Sequence, residues 1–111
     1  MTNPKYQVFR SMDDGQFYYR LKDANGEIVL HSEGYLSKKE CLERISSARI
    51  NARFDSSFMR KEIQENFFFI LEANNGEIIG SKDGYTDFSS RENGIYAVKR
   101  DGITAPVEDL S

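Results

Sequence analysis

The stretch FYYRLKDANGEIV at residues 17–29 decides the fold, because FFFILEANNGEII at residues 67–79 repeats it without a gap. The same shift of 50 positions aligns a Gly-Tyr pair and an isoleucine with their counterparts: Gly34-Tyr35 with Gly84-Tyr85, and Ile45 with Ile95. A self-match at one fixed shift is the signature of an internal duplication. We therefore expect two copies of one structural unit.

Each copy begins with three predicted β-strands. The second strand is rich in alternating aromatic residues, and the Asn-Gly pair after it is the strongest short-range signal for a β-hairpin. The predicted strands span residues 6–12, 17–23 and 28–33 in the first copy, and 57–63, 67–73 and 78–83 in the second.

A helix is predicted to follow the third strand of each copy. The first helix begins at Ser37, because Ser37 and Glu40 have the spacing of a capping box. The second begins at Asp87 or Ser89. Helical spacing gives the stripes that face the core, which are Cys41, Leu42, Ile45 and Ala48 in the first helix, and the stem of Arg91, Ile95 and Val98 in the second.

A three-stranded sheet with one helix can bury only one face, so the two copies must share a core. We expect an α+β fold in which two tandem β3-α(-β) repeats form one sheet with two helices packed on one face. The repeats are residues 1–53 and 54–111, the second with a C-terminal strand near Val107, in one compact pseudo-twofold unit. The expected inner residues of the sheet are Phe17, Tyr19, Leu21, Phe67, Phe69 and Leu71.

The register of the third strand stays open between two alternatives. A two-residue turn points Ile28 and Leu30 to the core, whereas a type I turn with a bulge at Gly26 points Val29 and His31 there.

Two stretches of each copy carry a family resemblance. The pattern F-x-x-x-L-K-x-x-N-G-E at residues 17–27 precedes S-E-G-Y-x-S-K at 32–38, and NGEIIGS at 75–81 precedes S-R-E-x-G-I at 90–95. These patterns resemble the YegP-like family, small bacterial proteins of tandem repeats of about 50 residues. The resemblance implies two β3-α-β motifs that exchange their last strands, near Val107 and at 54–63. It implies no activity, because that family has no established function.

Composition narrows the class of protein. Of 111 residues, 39% are apolar and 30% charged, which excludes a disordered chain, and a net charge of −3 argues against a surface dominated by polyanion binding. A single cysteine allows no intramolecular disulfide. The polar start lacks a signal peptide, and the longest apolar run, residues 67–71, is far shorter than a membrane span. We therefore expect a cytoplasmic protein that contacts no membrane.

The candidate binding surface has a polar and an apolar part. The polar part contains Tyr18, Arg20, His31 and Glu33, and Tyr and Arg are common anchors for a partner. The alternative is an ordinary solvent-facing set of cross-strand pairs. The second copy has Phe68, Ile70 and Ser81 at the places of Tyr18, Arg20 and His31, so no symmetric site is expected.

Phe68 and Ile70, with Ile79 as a third candidate, point away from the predicted core. Such a cluster requires cover. Either the exchanged strands or the tail cover it, or it is a surface for a protein partner or for weak self-association.

Cys41 is the one candidate nucleophile. It lies in the first turn of a helix, where the dipole lowers the pKa of a thiol, and a Cys41–His31 pair is one hypothesis for a small enzyme. No third group orients the pair, and Cys41 falls on the apolar stripe, which favours a buried structural cysteine. One histidine and one cysteine build no typical zinc shell, so neither a metal nor a cofactor is expected.

Residues 37–53 form a locally basic segment that suggests a weak nucleic-acid binder. A solvated helix face is the commoner explanation. The charged residues of the segment are Lys38, Lys39, Arg44, Arg49 and Arg53, against Glu40 and Glu43.

The preferred interpretation of the whole chain is a non-catalytic binding module, and the enzyme alternative uses Cys41 or the Tyr18, Arg20 and His31 cluster.

Overall fold

Seven strands form one mixed sheet in the computed structural model, which describes residues 2–111. Across the sheet the strands run in the order β4-β5-β6-β3-β2-β1-β7, so the α+β fold of two repeats is confirmed. The elements are β1 Lys5–Arg10, β2 Phe17–Lys22, β3 Ile28–His31, α1 Lys38–Asn51, a 3₁₀ turn Asp55–Ser57, β4 Phe58–Ile63, β5 Asn66–Glu72, β6 Ile78–Tyr85, α2 Phe88–Asp101 and β7 Val107–Asp109.

Both helices start at a side-chain cap. The Ser37 hydroxyl accepts the backbone N–H of Glu40 at 3.1 Å, and the Asp87 carboxylate accepts that of Ser90 at 2.7 Å. Of the two predicted starts of α2, Asp87 is therefore the cap rather than Ser89, because its side chain reaches an otherwise unpaired N–H group.

The predicted stripes of both helices face the sheet, with one exception. Cys41, Ile45 and Ala48 are buried in α1, as are Arg91, Ile95 and Val98 in α2. Leu42 was predicted on the inner stripe of α1, but it is 39% exposed and lies at the margin of the stripe.

The inner face of the sheet carries the core. Tyr19, Leu21, Phe69 and Leu71 are fully buried, as predicted, whereas Phe17 packs partly buried against the cluster at the end of its strand. The Tyr19 hydroxyl donates to the Ile79 carbonyl at 2.7 Å, which ties the two repeats together inside the core.

The third strand adopts neither predicted set of inner residues. Gly26 has φ +79° and the Asp23 N–H donates to the Glu27 carbonyl, so the turn is a type I turn with a glycine bulge. A second bulge then inserts Val29, because Leu21 pairs with Leu30 while Lys22 pairs with Ile28. As a result Val29 and Leu30 are buried, while Ile28 and His31 are exposed.

The same bulge occurs in the second repeat and corrects one prediction. Leu71 pairs with Gly80 and Glu72 with Ile78, so Ile79 is the inserted residue. Ile79 was predicted to point outward, but it is fully buried.

The exchange of last strands that the family resemblance implied occurs near Val107 but not at residues 54–63. After α2, β7 runs parallel to β1, with Val107 opposite Tyr6. After α1, residues 55–57 form the 3₁₀ turn instead of a strand. The residues that follow form β4, which pairs antiparallel with β5 of the same repeat. Within residues 2–111 the outer edge of β4 carries no strand, whereas β7 covers the equivalent edge of β1.

We expect residues 1–53, expressed alone, to show no cooperative thermal transition by circular dichroism. The only registered pairing between β3 and β6 joins His31 to Ser81, so the repeats depend on a shared side-chain core that either half alone leaves exposed. Adding residues 54–111 should restore the transition seen for the whole chain. A sharp melt of monomeric residues 1–53 would contradict this account.

Candidate functional site

The predicted polar and apolar site residues lie on the sheet face opposite the helices. Their register places Arg20 beside His31, and Ser81 between His31 and Ile70. Three predicted site residues therefore share one row across the sheet. The whole row, from β7 to β4, consists of Glu108, Gln7, Arg20, His31, Ser81, Ile70 and Met59.

Arg20 is fixed in place by β1. Its Nε donates to Gln7 Oε1 at 2.8 Å, and Gln7 Nε2 donates to Glu108 Oε1 at 2.7 Å. The Arg20 guanidinium also lies 4.7 Å from the ring centroid of Phe9. Sequence reasoning missed Gln7 and Phe9, because nothing in the sequence shows which residues of β1 oppose β2.

Tyr18 contacts the same ring. It stacks on Phe9 with the ring centroids 5.9 Å apart, and its hydroxyl donates to the Asp14 carboxylate. That hydrogen bond raises the pKa of Tyr18 and lowers the pKa of Asp14. The Tyr18 hydroxyl is therefore engaged with a turn residue rather than directed at His31.

A shallow hollow of about 230 Å³ opens at the centre of this face. The small side chain of Ser81 leaves the space, and the Gly80 backbone lines it. His31 and Glu33 line it, as do the apolar side chains of Ile70 and Ile78. We refer to it as the central hollow.

Phe68 does not line the central hollow but lies next to it. It is two residues before Ile70 on β5, on the same face, and opposes Lys61 of β4. Phe68 and Ile70 are both partly buried, and Ile78 is 42% exposed.

The strand residues of this face carry more positive than negative charge, although the chain as a whole has a net charge of −3. By register the charged strand residues of the face are Lys5, Arg20, Lys22 and Lys61, against Glu72 and Glu108, and Glu33 beside the central hollow adds a third carboxylate. The positive charges cluster at Lys5, Arg20 and Lys22 on β1 and β2.

The hypothetical Cys41–His31 pair does not form. Cys41 is fully buried in the core under α1, whereas His31 is exposed on the opposite face of the sheet. Burial also raises the pKa of the Cys41 thiol to about 11, so the thiolate is suppressed rather than favoured.

Three of the basic residues of the α1 segment are engaged within the fold. Lys38 Nζ lies 2.9 Å from Asp109 Oδ2, Arg44 forms an ion pair with Glu77, and Arg49 donates to the Ala105 carbonyl at 2.7 Å. The segment is therefore not an open basic surface of the kind that the sequence suggested.

Residues 2–111 contain neither a metal-binding cluster nor a membrane-spanning helix. No three His, Cys, Asp or Glu side chains come close enough together to hold a metal ion. Neither helix reaches the length and apolar character that crossing a bilayer requires.

A larger concavity than the central hollow is one that sequence reasoning missed. It has a volume of about 600 Å³ and lies between α2 and the β2–β3 hairpin, and we call it the α2 groove. Its lining joins residues of both repeats, which are far apart in sequence, and includes Asp23, Glu27, Tyr85, Gly94 and Arg100. The sequence contained one signal of this groove. At the 50-residue shift Tyr85 matches Tyr35 and Glu27 matches Glu77, but Gly94 stands opposite Arg44.

The profile of the family described as "Domain of unknown function (DUF1508)" matches residues 13–56 and again residues 64–109. The chain belongs to the DUF1508 family. The two matches are the two repeats, each running from β2 or β5 to the end of its helix and beyond. The expected resemblance to YegP-like proteins is confirmed by the relatives of this DUF1508 protein.

Three such relatives are UPF0339 proteins. The YegP protein of Yersinia pestis is 34% identical over 107 residues, covering 96% of this chain and 95% of the relative. A UPF0339 protein of Pseudomonas aeruginosa is 39% identical, covering 88% and 90%. YegP of Escherichia coli K12 is 40% identical, covering 86% and 88%.

Two solution NMR structures share the fold. The structure of YegP from E. coli, described as a protein of unknown function, superposes with a TM-score of 0.90 at 36% identity, covering 99% of this chain and 95% of that one. A UPF0339 protein of Shewanella oneidensis gives a TM-score of 0.90 at 31% identity, covering 96% and 91%. None of these relatives carries an assigned activity in its description.

We expect the folded protein to resist alkylation by iodoacetamide at pH 8. A thiol with a pKa of about 11 is ionised to only about one part in a thousand at that pH, and Cys41 is fully buried as well. Mass spectrometry should find the adduct only after unfolding in urea. Rapid labelling of the native protein would show that Cys41 is reactive.

Proposed function

We propose that this protein is a non-catalytic binding module whose outer sheet face binds an acidic segment of a partner protein. The observation that carries the proposal is the central hollow. Ile70 and Ile78 line one side of it and His31 the other, and Arg20 is the neighbour of His31 on the next strand. One apolar side chain of a partner fits the hollow, and a neighbouring carboxylate then meets the Arg20 guanidinium.

Charge selects the partner. An acidic segment complements the local cluster of Lys5, Arg20 and Lys22 on β1 and β2, and this cluster attracts the segment before contact. A second copy that placed its own basic cluster against this one across a twofold axis would be repelled.

A protein segment also fits this face better than a nucleic acid does. Phe9 and Tyr18 stack on each other and Arg20 lies over Phe9, so these groups already satisfy one another. Single-stranded nucleic acids are bound by aromatic rings that are free to stack on bases.

The side chains of the face do not converge as the groups of a catalytic site do. Tyr18 is bonded to Asp14 and Arg20 to Gln7, while His31 is exposed between Arg20 and Ser81. This arrangement supports recognition rather than proton transfer, which needs a base within hydrogen-bond reach of its nucleophile.

A peptide-display selection on the whole chain tests the proposal. We expect the selected peptides to combine Asp or Glu with one large apolar residue, and to bind Phe68→Glu and Arg20→Glu variants at least about tenfold more weakly by isothermal titration calorimetry.

Leu36→Glu is the matched control, because Leu36 is 84% exposed and lies outside the sheet strands. It should bind as the wild type does, and all three variants should keep the wild-type melting temperature within a few degrees. Peptides without acidic enrichment, undiminished binding by Phe68→Glu, or a dimer in sedimentation equilibrium would each overturn the proposal.

A further inference from the structure

The pseudo-twofold symmetry gives the molecule two equivalent grooves. Helix α1 lies against the β5–β6 hairpin of the second repeat, and α2 against the β2–β3 hairpin of the first. The 50-residue shift relates Tyr35 to Tyr85 and Glu77 to Glu27, so both grooves present the same tyrosine and the same glutamate. They differ at the helix, where Arg44 corresponds to Gly94.

The α1 groove is filled by its own arginine. The Arg44 guanidinium forms an ion pair with Glu77, and its Cζ lies 5.7 Å from the ring centroid of Tyr35. A planar cation on an aromatic face with a carboxylate beside it is the environment that a guanidinium prefers. The first groove is therefore an occupied guanidinium site within the chain.

The α2 groove lacks that side chain. Gly94 is buried and contributes no side chain, and the Tyr85 hydroxyl lies so close that a Cβ at this position would collide with it. The remaining space is the cavity of about 600 Å³, a size typical of ligand pockets. Within residues 2–111 no lysine or arginine nitrogen lies within 4 Å of the Glu27 carboxylate, in contrast to its counterpart Glu77.

The charges of the α2 groove favour a cation near Glu27. Burial, followed by the Glu27 and Asp23 carboxylates, raises the pKa of Tyr85 to about 12, so both carboxylates act on the phenol. Of the two basic side chains that line the groove, Arg100 is bonded to Asp101, and Lys82 Nζ donates to the Asp83 carbonyl and lies 5.7 Å from the Tyr85 ring centroid.

We infer that the α2 groove binds a guanidinium group supplied from outside the chain, with Glu27 and Tyr85 in the roles that Glu77 and Tyr35 have toward Arg44. The ligand is an arginine side chain of a partner or a small guanidinium compound. This site lies on the helix side of the sheet, so it is independent of the proposed binding at the central hollow.

NMR titration of the whole chain with N-acetyl-L-arginine amide tests the inference. We expect saturable amide shifts at Glu27, Tyr85 and Gly94, and binding at least about tenfold weaker for N-acetyl-L-citrulline amide, a neutral isostere that can hydrogen-bond to a carboxylate but forms no ion pair with it. Agmatine distinguishes the sources. Equal affinity for agmatine indicates a small compound, whereas tighter binding of the amide indicates an arginine within a polypeptide.

Two conservative variants localise the site. Glu27→Gln should weaken binding of the arginine amide at least about tenfold, whereas the matched Glu77→Gln, in the groove that Arg44 already fills, should leave it unchanged. Equal shifts with the citrulline amide, or unaltered binding by Glu27→Gln, would overturn the inference.

Exchanging the residues at the two helix positions provides a second, independent check. Gly94→Arg should abolish binding, because its side chain displaces the Tyr85 hydroxyl and fills the groove. Arg44→Gly, which adds no side chain, should open the α1 groove and create a second saturable set of shifts at Tyr35 and Glu77. A folded Arg44→Gly protein with no second set of shifts would show that the internal site is not a template for the external one.

Discussion

The fold depends on how two symmetry-related positions meet where the repeats join. Leu30 of β3 and Gly80 of β6 are related by the 50-residue shift, and both lie on the inner face of neighbouring strands. A Cβ at Gly80 would lie 3.0 Å from Leu30 Cδ1 and 2.9 Å from the Tyr19 hydroxyl. Two large side chains cannot share this space at protein packing density, so the duplicated sequence had to become asymmetric at its centre.

Side-chain burial, rather than main-chain pairing, holds this join together. Between β3 and β6 only His31 and Ser81 are in register, and the buried hydrogen bond from Tyr19 to Ile79 contributes about 0.5–1.5 kcal/mol. Each fully buried side chain such as Leu30 or Ile79 contributes about 1.5–3 kcal/mol, and the core contains many of them from both repeats. The apolar contribution dominates, which is why the halves are expected to be interdependent.

The sequence predicted those parts of the fold that follow from spacing alone. The 50-residue shift identified the repeats, and period-two alternation placed Tyr19 and Phe69 in the core. Alternation failed at Val29 and Ile79, because each is an inserted bulge residue that puts two successive side chains on the buried side. Apart from the exchanged strand near Val107, which the family resemblance implied, pairings between elements distant in sequence escaped prediction, since they depend on strand order and on which helix crosses which hairpin.

A similar asymmetry of large residue against glycine recurs at Arg44 and Gly94, where the Tyr85 hydroxyl packs so closely against Gly94 that a Cβ would collide with it. Arg44 and Glu77 are partly exposed, and an ion pair of that kind contributes only about 0–1 kcal/mol, with a similar amount from the contact with Tyr35. The second repeat therefore loses little stability by leaving its groove open. Because the fold needs little from the ion pair that fills the first groove, the space of the α2 groove is available for recognition, whereas Arg44 serves the structure.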